Sequence, residues 1–141
     1  MKSIKFSLVS VTLLLLLSVG TLVSAKDTTA SSDEKVVVQH VNPTEAAKLI
    51  EDNPDYVILD VRTPIEFKHS QIENALNVNY YSFSFKKQIE KLDRDKTYIV
   101  HCQTGVRSGK TMPIMLRAGF KNLIHMDGGM KGWKQAKLPT L

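Results

Sequence analysis

The chain has 141 residues, with 19 Lys and Arg against 14 Asp and Glu, and its formal charge of +5 is spread along the sequence. No basic stripe is interleaved with aromatics, so nucleic acid is not expected as a partner. The single cysteine, Cys102, excludes a framework of intramolecular disulfides.

Residues 1–25 read as an export signal. Lys2 and Lys5 make a basic start, Leu8 to Val19 is apolar apart from Ser10, Thr12 and Ser18, and Val23-Ser24-Ala25 suits a signal peptidase. The apolar stretch is short for a membrane span and no basic stop-transfer follows, so no stable span is expected after cleavage. No cysteine lies near the junction to carry a lipid. The expected location is therefore outside the cytosol, periplasmic or extracellular. Loss of Lys2 and Lys5 would lower the charge from +5 to about +3. Residues 26–35 follow as a flexible tether ending in ASSDEK, and residues 36–141 as one domain.

Within that domain, short β-like runs alternate with helical ones. Val36-Val37-Val38 reads as a strand. Pro43 to Asp52 reads as a helix capped by Asn42, with Ala46, Leu49 and Ile50 on one face. Tyr56 to Val61 is a continuous apolar run of the kind buried on both faces in a parallel sheet. Glu66 and Phe67 fall in a short turn. Ala75 to Asn79 reads as a strand and Phe83 to Leu92 as an amphipathic helix with Phe85, Ile89 and Leu92 inward. Thr97 to His101 is the third clear β run. A helix from about Val106 to Ala118 stops at Gly119, Leu123 to Met126 is a strand, Gly128-Gly129 a turn, and Met130 to Ala136 the last helix. The alternation predicts an α/β fold: a central, mostly parallel five-stranded sheet with helices on both faces.

Cys102 ends the third β run, and ligands of parallel sheets bind at the C-terminal edge of the strands. Gly105 lets the chain fold tightly and Arg107 opens a helix, whose N-terminus offers free N–H groups. A sulfur there is stabilised as thiolate, with Arg107 adding a fixed charge. The alternative is a cysteine packed as a small hydrophobe. Asp60 and Arg62 should reach the same edge, either with Asp60 orienting the loop or its arginine and Arg62 adding positive potential or tying loops together, or as a structural ion pair near the site. His101 is a candidate general base, but next to Cys102 on a strand it points to the opposite face and reads as a packed, hydrogen-bonded histidine. His40, His69 and His125 show no ligand spacing, so no metal site and no cofactor are expected. Trp133 and Met130 read as core, and Gly128-Gly129 as a turn near the loop.

Four stretches together resemble a single-domain rhodanese: ILDVRTPIE (58–66), IENALNV (72–78), CQTGVRS (102–108) and MDGGMKGW (126–133). The resemblance implies a sulfurtransferase. Cys102 would attack the outer sulfur of a donor such as thiosulfate, become a persulfide, and pass the sulfur to cyanide, a thiol or another thiophilic acceptor. Gln103, Thr104, Gly105, Val106 and Arg107 would cradle the persulfide, with Ser108 completing the binding loop. A less anionic donor or a protein persulfide partner stays open beside thiosulfate, because Glu66, Gln103 and Thr104 stand where some thiosulfate-using relatives carry basic residues. Phosphatase relatives space the loop as Cys-x5-Arg, against Cys-x4-Arg here. A phosphatase or arsenate reductase is thus the alternative, and a non-catalytic binding module another. The family's Gly-His-Ile turn is Ser70-Gln71-Ile72 here, and a later glycine is Asn74. Pro113 falls inside the helix after the loop, where it removes a hydrogen bond to Gly109, costs about 3 kcal/mol in an exposed interior, and should kink the helix.

Overall fold

The computed structural model describes residues 37–141. The expected export signal and tether, and Val36, lie outside the described residues. Five strands form one wholly parallel sheet: β1 (Gln39–Val41), β2 (Val57–Asp60), β3 (Leu76–Asn77), β4 (Thr97–His101) and β5 (Asn122–Met126). Their order across the sheet is β1-β5-β4-β2-β3, which puts β4 at the centre. Helices α1 (Pro43–Asp52), α2 (Pro64–His69), α3 (Phe85–Glu90), α4 (Val106–Arg117) and α5 (Gly129–Gln135) connect and cover them. Among the described residues no helix is long and apolar enough to cross a membrane.

Strand periodicity divides the core in two. Ile58, Ile99 and Ile124 join Val41, Ala46, Met130 and Trp133 on the face covered by α1 and α5. Leu59, Tyr98, Val100 and Leu123 join Phe85, Ile89, Met112, Met115 and Phe120 on the face covered by α3 and α4. Each such aliphatic or aromatic side chain, once fully buried, contributes about 1.5–3 kcal/mol. The expected core positions Met130 and Trp133 are buried as read.

Two boundaries differ from expectation. The first strand is Gln39–Val41, not 36–38, because its pairing with β5 is made by Gln39, His40 and Val41. Glu66 and Phe67 lie in α2, not in a turn: Thr63 and Glu66 form a reciprocal capping box and Pro64 opens the helix. The other elements keep their places within two residues at each end, and α5 begins at Gly129, inside the expected turn. The expected left-handed stop appears at Gly119, with φ +92°. Asn74, where the resemblance leads to the expectation of a glycine, has a positive φ of 60°, a conformation that asparagine tolerates.

Candidate active site

Cys102 leaves the central strand on the α4 face, at the C-terminal edge of the sheet. The chain turns at once. Gly105, with φ +95°, caps α4 at its N-terminus, and Gly109 N–H closes the first turn onto the Gly105 carbonyl at 2.8 Å. Pro113 lies beyond that turn and the helix runs through it to Arg117. From the other side, Met130 N–H donates to the Cys102 carbonyl at 2.8 Å and Lys131 N–H to the Gln103 carbonyl at 2.9 Å. Gly129 (φ +53°) makes this approach possible, since a Cβ there would run into the Cys102 carbonyl. The Gly-Gly turn therefore does meet the loop.

With its carbonyls held by α5, the loop turns donors toward sulfur. Gly105 N–H donates to Sγ at 3.2 Å and the Ser108 hydroxyl at 3.5 Å. Burial pushes the Cys102 thiol up, but the Ser108 hydroxyl and the amides of Ser108, Thr104 and Gly105 outweigh it, and the net pKa is below the ordinary thiol value. The arrangement favours a thiolate nucleophile at the floor of a tight loop, where Cys102 is only 1% exposed.

Arg107 does not stand free beside that sulfur. Its guanidinium grips Glu66 through two hydrogen bonds of 2.7 and 2.6 Å and lies over the Tyr81 ring, 5.6 Å from its centroid. The Arg107 hydrogen bond holds the Glu66 carboxyl down at about 2 against the opposing effect of burial. The expected fixed charge is thus largely neutralised. Val106 is exposed, and the Gln103 side chain faces away toward Arg62, at 3.5 Å.

Asp60 and Arg62 form a buried pair. Arg62 donates to Asp60 through Nε and Nη2, at 2.8 and 2.6 Å, and to the Ser70 carbonyl at 2.7 Å. The geometry is that of a structural pair that also ties loops together: Asp60 binds Arg62, not the loop arginine, and Arg62 reaches the Ser70 carbonyl and Gln103. His101 lies beside Asp60, 3.8 Å away, on the face opposite the Cys102 side chain. Burial pushes its imidazole pKa down, and its Nε2 has no hydrogen-bond partner. It is packed, but not well hydrogen-bonded.

The profile of the rhodanese-like domain matches residues 42–136. The chain belongs to the rhodanese-like domain family. It is 30% identical over 99 residues to the thiosulfate sulfurtransferase GlpE of Glaesserella parasuis serovar 5, covering 70% of this chain and 89% of that protein. It is 40% identical over 97 residues to the tRNA uridine(34) hydroxylase of Pectobacterium carotovorum subsp. carotovorum, covering 64% of this chain and 27% of the relative. Among solved structures, a rhodanese-related protein from Thermoplasma volcanium superposes with a TM-score of 0.63 at 28% identity, covering 73% of this chain and 97% of that one. The chain spans about a quarter of the length of some relatives, such as the hydroxylase and the probable adenylyltransferase/sulfurtransferase MoeZ of Mycobacterium tuberculosis, at 27% and 26%. The rhodanese-like sheet and helices expected from the sequence are therefore present.

Around the rhodanese loop the fold also gathers residues that spacing alone did not flag. Ser108 Oγ lies 2.8 Å from His125 Nε2, and His125 Nδ1 lies 2.7 Å from Asp127 and 3.4 Å from His40 Nδ1. His40 and His125, expected to lack partners, are register neighbours on β1 and β5. Asp127 stands two residues beyond His125, on the same side by strand periodicity. That i, i+2 pairing at a strand end was the available sequence clue.

Proposed function

We propose that the protein is a sulfurtransferase that carries sulfane sulfur as a persulfide on Cys102. The observation that supports this most is the pair of donors aimed at Cys102 Sγ, Gly105 N–H and Ser108 O–H, at the head of α4. The thiolate attacks the outer sulfur of the donor. With thiosulfate, the S–S bond breaks and sulfite leaves with its electron pair. An acceptor nucleophile then takes the outer sulfur from Cys102, and the thiolate returns. The amides of Thr104, Gly105 and Ser108, together with the Ser108 hydroxyl, hold the negative charge in both steps. Asp60 and Arg62 support the loop without touching the sulfur.

The Glu66–Arg107 pair bears on the donor. A carboxylate at the loop arginine disfavours a dianion such as thiosulfate and suits a donor of lower charge, including a protein persulfide. Exposed Ile65, Tyr81, Phe83 and Val106 lie on or beside the segments that Arg107 ties together, and they suit a protein acceptor or donor. The basic and apolar start of the chain supports action outside the cytosol.

The test is intact mass before and after thiosulfate, with 3-mercaptopyruvate as a second donor and Cys102→Ser alongside. The wild type should gain one sulfur and lose it to cyanide as thiocyanate, while Cys102→Ser gains nothing. A wild type that takes no sulfur from either donor but hydrolyses p-nitrophenyl phosphate would overturn the reading.

A further inference from the structure

His40, His125 and Asp127 bring three ligand atoms together beside the active loop, and each is placed by a strand or its end. His40 and His125 face each other across β1 and β5, and Asp127 N–H donates to the Val41 carbonyl at 2.8 Å, locking the end of that register. The three donor atoms form a triangle. His40 Nδ1 and His125 Nδ1 are 3.4 Å apart, and Asp127 Oδ1 is 3.1 Å from the first and 2.7 Å from the second. Zinc bonds of about 2.0–2.1 Å in a tetrahedron place ligand atoms roughly 3.3–3.4 Å from each other. The triangle needs only small side-chain adjustments to match that face.

The buried member turns its Nδ1 into this triangle. His125 is 5% exposed, and its Nε2 lies 3.2 Å from the Gly105 carbonyl and 2.8 Å from Ser108 Oγ. Each ring nitrogen has an acceptor within reach, the Gly105 carbonyl at Nε2 and the Asp127 carboxylate at Nδ1. In the tautomer protonated on Nε2, Ser108 Oγ accepts from His125, its own proton stays available to Cys102 Sγ, and the Nδ1 lone pair faces Asp127 and His40. In that tautomer the three groups can share one cation. A ring nitrogen donating to a backbone carbonyl while the other nitrogen faces the metal is also the usual outer-shell arrangement of a ligating histidine.

We propose that His40, His125 and Asp127 form a binding site for Zn2+ or a neighbouring late first-row divalent ion. Two imidazoles and one carboxylate suit such ions, while Mg2+ and Ca2+ prefer all-oxygen shells. The side chains of His40 and Asp127 are 61% and 54% exposed, so an ion reaches the site from solvent and its fourth position is open to water. The site meets the cysteine loop through His125 and does not depend on the sulfurtransferase reading.

The experiment titrates untagged, metal-free full chain with Zn2+ in competition with a chromogenic chelator. Wild type and Cys102→Ser should each take up one equivalent. His40→Ala and Asp127→Asn, both at exposed positions, should each weaken uptake by at least about tenfold, the lower bound for a lost outer-shell partner. Thermal melts of the metal-free variants check that they remain folded. Co2+ should give the visible bands of a tetrahedral N/O site, with no thiolate charge-transfer band. No stoichiometric uptake by the wild type would mean that the three groups share only a proton, and the proposal fails. Uptake lost in Cys102→Ser yet kept in His40→Ala and Asp127→Asn would place the ion on the cysteine, and the proposal fails equally.

Discussion

Two arginine–carboxylate pairs stand at the same edge of the sheet and differ chiefly in burial. Both close at 2.6 Å. The side chains of Arg62 and Asp60 are 2% and 0% exposed, and those of Arg107 and Glu66 are 14% and 31%. Arg62 also holds the Ser70 carbonyl, and the Asn77 side chain donates to the carbonyls of Asp60 and Arg62. That pair is fixed on every side and organises the end of β2. The Arg107 pair has solvent on one side, and its carboxylate comes from α2, across the mouth of the loop. The same chemistry thus serves as a rivet in one place and sets the charge of the loop in the other. The surroundings decide, because removing one partner of a buried pair leaves a charge that water cannot reach.

Four substitutions or conditions test this contrast. The largest effect is expected for Asp60→Asn, which leaves Arg62 buried without its counter-charge. It should lose about 3–5 kcal/mol in denaturant unfolding, and a loss below about 1 kcal/mol, the range of exposed pairs, would erase the distinction. Gly129→Ala comes next. Its left-handed backbone and the Cys102 carbonyl both oppose a side chain, so about 1–3 kcal/mol is expected. Sulfur loading should also fall more than stability does, because α5 no longer holds the loop carbonyls in place. Loading that simply tracked the folded fraction would assign Gly129 to the scaffold alone.

Glu66→Gln should cost about 1 kcal/mol or less, since the pair is partly exposed and the amide can still accept from Thr63. Its effect should instead appear at the loop, where a freed Arg107 raises kcat/KM for thiosulfate severalfold. An unchanged donor preference would mean that Arg107 does not reach the bound donor. The smallest effect is a pH dependence. Because the Glu66 carboxyl is held at about 2 in the fold, against an ordinary 4.5, the stability it contributes is fully present above 4.5 and fades as pH falls toward about 2. Glu66→Gln should flatten the wild-type stability curve across that window, as followed by acid titration of the unfolding midpoint.

Much of the setting of Cys102 was legible in the chain. A cysteine at the end of an apolar run, with Gly105 and a helix start behind it, describes most of the loop because neighbours in sequence make most of it. Ser108 was readable as part of the loop, but its hydrogen bond to His125 was not. Glu66 reads as part of a turn until Thr63, just before PIEFKH, is paired with it as a capping box. Its partner Arg107 lies 41 positions further on, beyond the reach of any local pattern. The first strand follows the same rule. The apolar Val36-Val37-Val38 suggested β structure, but pairing with β5 selected the more polar Gln39–Val41.

Local patterns along the chain specify the order of strands and helices, the buried central strands, and a cysteine at the head of a helix. Periodicity, caps and glycines act within a few residues, and they specify such features locally. Tertiary structure alone decided that Arg107 is paired with Glu66, that the Arg62–Asp60 pair is sealed in the core, and that His40 meets His125 and Asp127 across 85 and 87 positions. Those contacts depend on which strands lie side by side and in what register. That choice is made by burying both faces of the whole sheet at once.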